Sequence, residues 1–224
     1  MRVMTDTIKL TESDPKEVLK DQLILIASNA FANYGIKTVT MDEIAASAGI
    51  SKRTLYQLFK DKEALLRECI LKGQEKMRDF VAEVLSQTDN VLEVILRCYK
   101  YTIQQYHITD KRFFEDIQKY PRVYDLFLKG QRKDSTDTIN FFTSGVKQGL
   151  FRPDVNFEIV NILVREQFNF LLHSNLYLKF PFLEVYESIM FTYLRGISTP
   201  KGIDKLEKFI EEYRIEQKNR SVIK

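Results

Sequence analysis

Residues 40–66 constrain this chain more than any other stretch. They read TMDEIAASAGISKRTLYQLFKDKEALL, two short helical segments around a glycine, followed at once by a third. Thr40 with Glu43 three residues on has the form of a capping box, Thr40 being the N-cap and Glu43 reaching back from N3. Ile44, Ala45 and Ala48 form a small apolar face at helical spacing. Two helices cross closely only where the side chains between them are small, and Ala45 and Ala48 suit such a crossing. Gly49 stands where the first segment must end, a position that favours a left-handed backbone. Ile50 is expected to plug the turn into the core, and Ser51 is a good N-cap for the next helix. That helix, Lys52 to Phe59, points Leu55 and Phe59 inward and leaves Lys52, Arg53, Thr54, Tyr56 and Gln57 outside. Asp61 caps the third helix, with Lys62 in its first turn. This order is that of a helix-turn-helix, whose second helix enters the DNA major groove.

The outward side chains have chemistry suited to nucleic acid. Within residues 51–62, Lys52, Arg53, Lys60 and Lys62 stand against Asp61 alone, a local net charge of +3. Lysine and arginine neutralise phosphates, while threonine, tyrosine and glutamine bond phosphate oxygens or base edges. Backbone N–H groups at a helix start also attract phosphate, which makes Thr40 and the Asp61–Lys62 start natural anchors. The same residues also fit a solvated basic face on an ordinary three-helix unit.

Residues 24–66 resemble the DNA-binding domain of the TetR/AcrR family of bacterial regulators. The matching positions are Ala27, Phe31, Gly35, Thr40, Ile44, Ala45, Ala48, Gly49, Ile50, Ser51, Leu55, Tyr56, Phe59, Lys62, Glu63, Leu65 and Leu66, with no gap in their spacing. One position departs from a common form: Arg53 stands where many members carry glycine or another small residue. By resemblance, Lys52, Arg53, Thr54, Tyr56 and Gln57 belong to the recognition helix, and Tyr56 and Lys62 are expected to contact phosphate. Leu55 and Phe59 match core positions. The resemblance implies an all-α fold, an N-terminal three-helix helix-turn-helix domain followed by a C-terminal helical ligand-binding and dimerisation domain. The expected DNA-binding set is Thr40, Ser51, Lys52, Arg53, Thr54, Tyr56, Gln57, Lys60 and Lys62.

Composition adds bounds. A chain of 224 residues allows one or two domains with a real core. Its net charge is only +3, and residues 1–70 balance at ten positive and ten negative groups, so the DNA argument rests on a local patch. Cys69 and Cys98 lie far apart without a CxxC or Cys/His cluster and read as free thiols packing between helices. The opening MRVMTDTIKLTESDPKE has no apolar core of the signal-peptide kind, and no apolar run reaches the length of a bilayer span. A cytoplasmic protein with no membrane partner is expected. No paired nucleophile and base, no metal-ligand spacing and no glycine-rich phosphate loop is present, so neither an enzyme nor a metal or other cofactor is expected.

Nearly the whole chain reads as helix. Residues 1–13 look disordered, residues 14–66 form the DNA-binding domain, and residues 67–224 form the regulatory and dimerisation domain. The first helix is expected over Pro15–Tyr34, with Asp14 as cap and Pro15 at the favoured first position. Its inward stripe is read as Leu19, Leu23, Ile26, Ala30 and Tyr34, joined by Ala27 and Phe31. The third helix of the module continues to Gln87. Further helices are expected over 90–106, 111–120, 123–148, 157–178 and 182–194, and an amphipathic segment over 203–217 shows Leu206, Phe209, Ile210 and Tyr213 on one face.

Residues 157–178 are apolar on nearly all sides, which means burial on all sides. In the TetR family the last two long helices pair with their symmetry mates as a four-helix bundle. The implied homodimer interface is Val160, Val164, Phe168, Leu171, Tyr186, Ile189 and Tyr193; the alternative is that both helices are simply internal. A two-fold dimer places two recognition helices about one DNA turn apart on a palindromic double-stranded operator. Family members also commonly hold a small-molecule effector between middle helices, here lined by Tyr99, Ile103, Phe141, Phe142 and Phe168, whose binding shifts the population away from the DNA-competent form. Arg165, Glu166, Gln167 and Asn169 interrupt the apolar helix and need partners, across a dimer or on a ligand. His107 and His173 read as surface or satisfied helix residues. Repression is the family habit. The competing reading is a helical interaction protein that keeps the module but binds a protein partner.

Overall fold

The computed structural model describes the backbone of residues 14–129, 135–173, 176 and 179–222; the disordered tail expected over 1–13 lies outside the described residues. Eleven helices are described: α1 (Pro15–Tyr34), α2 (Met41–Ser47), α3 (Lys52–Leu58), α4 (Lys62–Gln87), α5 (Val91–His107), α6 (Lys111–Ile117), α7 (Pro121–Lys129), α8 (Ser135–Lys147), α9 (Phe157–His173), α10 (Phe182–Ile197) and α11 (Pro200–Val222). One isolated antiparallel bridge, Phe151 with Ser198, is the extent of β-pairing among the described residues. The fold is all-α.

The chain divides into two compact units, and the division does not follow a single cut in the sequence. The first unit joins the described residues up to Lys72 with Thr109–Tyr124; the second joins Gly73–Ile108 with the residues from Asp125 on. The first unit is called the head below. It therefore contains α6, which a boundary at residue 66 assigns to the regulatory part.

The head is built on α1. Asp14 caps it, its carboxylate accepting from the Lys16 N–H at 3.0 Å, and Pro15 occupies the first turn where a missing N–H costs nothing. Leu23, Ala27, Phe31, Ile44, Leu55, Leu65 and Leu66 are all at most 1% exposed and form one core. The buried stripe of α1 is Leu23, Ile24, Ala27 and Phe31. It is rotated from the expected one: Ile24 lies inside, Leu19, Ile26 and Ala30 are only half-buried, and Tyr34 is 58% exposed. Both stripes satisfy the helical period, and only the placement of the other helices decides between them. The end of α1 then meets α6. The Asp110 N–H donates to the Ala32 carbonyl at 2.6 Å, and Asp110 caps α6 through the Arg112 N–H. Gly35 has φ of +81° and ψ of 156°, a region essentially closed to other residues. A Cβ there would also stand 2.7 Å from the Arg112 Cβ.

The second unit packs α5, α8, α9, α10 and α11 around one aromatic-rich core. Tyr99 sits at its centre, with ring centroids of Phe191, Tyr213, Tyr186 and Phe209 at 5.2, 5.4, 5.8 and 6.1 Å. Phe142 stacks on Phe157 at 5.1 Å and both lie near Phe151. The single helix expected over 123–148 is described as two, α7 and α8, with residues 130–134 outside the described residues. Helix α9 is described to His173 rather than 178, and α11 is longer than expected because Pro200 opens it.

Two glycine substitutions separate strain from crowding. Gly49→Ala, in open space at φ of +67°, should cost about 1 kcal/mol. Gly35→Ala combines a glycine-only backbone with a contact against Arg112 and should cost about 3 kcal/mol. Urea unfolding of the two variants against wild type checks both the sizes and their order.

Candidate nucleic-acid interface

Each helix of the module is fixed by its own caps. Thr40 and Glu43 form the expected box: the Glu43 N–H donates to the Thr40 hydroxyl at 3.2 Å, and the Thr40 N–H donates to Glu43 Oε2 at 2.7 Å. The Thr40 hydroxyl in turn donates to Glu43 Oε2 at 2.9 Å. The Thr40 backbone bond, then its hydroxyl, holds the Glu43 carboxyl below the usual range. At the other end of α2 the Gly49 N–H reaches the Ala46 carbonyl at 3.1 Å and the Ile50 N–H reaches Ala45 at 3.0 Å, the two bonds of a Schellman turn. Ile50 is half-buried, less deeply set than a plug. Ser51 then caps α3 by accepting from the Thr54 N–H at 3.1 Å, and Asp61 caps α4 through the Ala64 N–H at 2.8 Å.

These caps aim α3. Leu55 and Phe59 sink to 0% and 3% exposure, so the opposite face of α3 must turn outward. Ser51, Lys52, Arg53, Tyr56, Gln57 and Lys60 are exposed and Thr54 is half-buried. Tyr56 is 49% exposed, a large ring held at the surface. Not all of these groups are equally available. The Lys52 ammonium pairs with the Asp42 carboxylate of α2, and the Ser51 and Thr54 hydroxyls bond each other at 2.8 Å.

Lys62 is the member of the expected set that points elsewhere. Its ammonium donates to the Val39 carbonyl, stands 3.4 Å from the Lys37 carbonyl, and lies 5.9 Å from the centre of the Phe31 ring. Burial lowers its pKa, against the attraction of Asp116 and Glu43.

Asp116 is the residue that the sequence reading missed. It comes from α6, is 6% exposed, and accepts the Lys37 N–H at 2.7 Å and the Lys119 ammonium at 2.7 Å. Burial pushes its carboxyl up, but the bonds from Lys119 and from the Lys37 amide outweigh burial and hold it below the usual range. No local pattern marks Asp116: its amide partner is 79 residues away.

The residues expected to line an effector site and a dimer interface lie in the second unit. Tyr99 and Ile103 are core residues, 2% and 1% exposed, and Phe141 and Phe142 are partly buried against the same cluster. The Tyr99 hydroxyl donates to Glu187 Oε1 at 2.6 Å; burial and then this bond raise its pKa. Val160 and Tyr186 pack against that core, Tyr186 stacking on Tyr99, while Val164, Ile189 and Tyr193 are half-buried. The side chains of Phe168, Leu171 and Asn169 lie outside the described residues. The apolar face that α9 leaves open is a different one: Ile159, Ile162, Leu163 and Phe170, at 53%, 42%, 47% and 62% exposure. Among the described residues no group of His, Cys, Asp and Glu side chains is placed to hold a metal, and no helix is long and apolar enough to cross a membrane.

Residues 23–69 match the family described as bacterial regulatory proteins, tetR family. The HTH-type transcriptional repressor KstR2 of Mycolicibacterium smegmatis is 26% identical over 154 residues, 66% of this chain and 74% of that protein. The HTH-type transcriptional activator FasR of the same organism is 35% identical over 77 residues, 34% of this chain and 35% of FasR. Among solved structures, a transcriptional regulator from Cytophaga hutchinsonii aligns with a TM-score of 0.62 at 18% identity, over 80% of this chain and 98% of that one. At that identity the likeness speaks for the fold.

The caps generate a measurable expectation. Thr40→Ala and Ser51→Ala should each lower stability by about 1 kcal/mol in urea unfolding. Glu43 has a depressed pKa in the folded state, so what its charge adds is present above the usual carboxylate range. That contribution fades as pH falls through the depressed value. The gap between wild type and Glu43→Ala should therefore narrow on acidification.

Proposed function

Since the chain belongs to the TetR family of bacterial regulatory proteins, a family of DNA-binding regulators of transcription, we propose that it is a homodimeric repressor that binds a palindromic operator and is released by a small-molecule effector. The observation that carries the proposal is the outward face of α3. Arg53, Tyr56 and Gln57 are exposed on a helix whose other face is locked into the core by Leu55 and by Phe59 at its C-cap, and Lys60 is exposed just beyond its end. A short helix held this way presents its side chains as a rigid reading head.

Roles within that face follow from reach and chemistry. Arg53 and Gln57 carry planar groups that bond base edges, arginine to guanine and glutamine to adenine. Tyr56, with Lys60 beside the start of α4, contacts phosphate and sets register. Repression is supported by the similarity to KstR2 over two thirds of this chain. The similarity to the activator FasR is higher in identity but confined to 77 residues, and so bears on DNA binding more than on the sign of control.

The exposed apolar face of α9 supports a dimer. Four large apolar side chains on one helix are costly to leave in water, and covering the exposed half of each contributes roughly half of the ~1.5–3 kcal/mol of full burial. A second copy related by a two-fold axis covers them with the same surface. We put the effector site among the aromatic side chains around Tyr99, Ile103, Phe141 and Phe142; the polar pair of Tyr99 with Glu187, set in that apolar cluster, supports the choice. Binding there depletes the DNA-competent population to the extent that the ligand prefers the other form.

Selection of random duplex DNA at about 150 mM salt, with the mass of the winning complex, tests the reading. A palindromic duplex bound by two copies is the expected result. No enriched sequence, even after unfolding and refolding to strip a retained ligand, would sink it. On the selected duplex, Tyr56→Phe should weaken binding to all sequences alike, whereas Arg53→Ala should relax the preferred base at one position in each half-site. Ile162→Glu should shift the protein towards monomer in analytical ultracentrifugation; an unchanged sedimentation coefficient would remove α9 from the interface.

A further inference from the structure

The turn between α1 and α2 is held by side chains from two other helices, and both grip the same residue. The Lys37 N–H donates to Asp116 of α6 at 2.7 Å. The Lys37 carbonyl faces the Lys62 ammonium of α4 at 3.4 Å, and the same ammonium takes the Val39 carbonyl. Ile36 and Val39 are buried at 0% and 5% exposure on either side, and Thr40, the N-cap of α2, comes next. Two opposite charges thus reach the peptide groups of Lys37 and Val39 from either side.

We propose that Asp116 is a positioning residue for DNA binding, acting with Lys62 as a two-sided clamp on the Lys37–Val39 turn, and that Lys62 serves this clamp rather than a phosphate. The proposal rests on the reading of α3 as the DNA-contacting helix. The turn sets where α2 begins, α2 sets α3 through the Gly49 turn, and a loose turn leaves α3 in its reading position for only part of the time. Apparent affinity falls in proportion to that fraction. The hydrogen bonds of Asp116 run to Lys37 and Lys119 and not to Arg53, Tyr56 or Gln57, so a loss of affinity on its removal comes through the turn.

The clamp predicts a pattern that a phosphate contact and a simple loss of stability do not share. Binding to the selected duplex is measured between about 50 and 300 mM salt for wild type, Asp116→Ala, Asp116→Asn, Lys119→Met and Lys62→Ala, at a temperature where circular dichroism shows each fully folded. Asp116→Ala should weaken binding about tenfold, the scale of one charge-assisted hydrogen bond. Asp116→Asn keeps an oxygen for the Lys37 N–H and should recover to within about threefold of wild type. Lys119→Met removes the part-buried ion pair but leaves the Lys37 bond, and should weaken binding less than Asp116→Ala does. Lys62→Ala should weaken binding with no change in the slope of log affinity against log salt, whereas loss of a phosphate contact reduces that slope by about 0.9.

Wild-type affinity for Asp116→Ala would overturn the proposal. So would failure of Asp116→Asn to recover any affinity, or a slope for Lys62→Ala reduced by about 0.9. If wild type itself selects no duplex, it is the DNA-binding reading that has failed, and exchange of the Lys37 amide then tests the clamp alone. That amide should exchange faster in Asp116→Ala than in wild type, and an unchanged rate would overturn the clamp without reference to DNA.

Discussion

A helix of seven residues has no stability of its own in water, because the cost of nucleating it is not repaid over so short a length. Helix α3 exists because Leu55 and Phe59 are buried beneath it and because Ser51 and the Gly49 turn define both approaches to its start. Everything attributed to its outer face depends on that anchoring. An exposed Arg53 or Gln57 on a fraying segment would lose its ordering entropy again on each encounter with DNA. On an anchored helix most of that loss is already met by folding.

The features legible in the sequence are those whose partners lie three or four residues away. The Thr40–Glu43 box, the Ser51 and Asp61 caps, the Pro15 start and the Gly49 stop are local bonds between neighbours in the chain. Because α2 and α3 are short, their caps specify most of their geometry, and the candidate DNA face follows. The stripe of α1 was less legible, since apolar residues at both Ile24 and Ile26 allow two adjoining faces and only the other helices choose. The exposed face of α9 was obscured for a related reason. Where nearly every residue is apolar, the side turned to the core depends on partners that periodicity does not contain.

Asp116 was illegible for a stronger reason. Its neighbours, KRFFEDIQKY, read as an ordinary charged helix, and nothing in them announces a carboxylate destined for burial. A buried charge is tolerated because Lys119 and the Lys37 amide complete its hydrogen bonding. The requirement comes from the turn, whose N–H needs an acceptor, and the acceptor is drawn from a distant segment. Lys62 shows the converse. Its place in the first turn of α4 matched the family pattern, but the match carries no information on where a long side chain bends.

The head draws on two stretches of chain with residues 73–108 between them. Contact between Lys37 and Asp116 closes a loop spanning 79 positions, and such closure is slow beside the local caps. On the ribosome, at ~5–20 residues per second, that separation is roughly 4–16 s of synthesis. For that interval the first three helices exist without the helix that completes them. A nascent head is thus an unfinished head, and the regulator acquires its final recognition geometry only after translation has passed well into the part that forms the second unit.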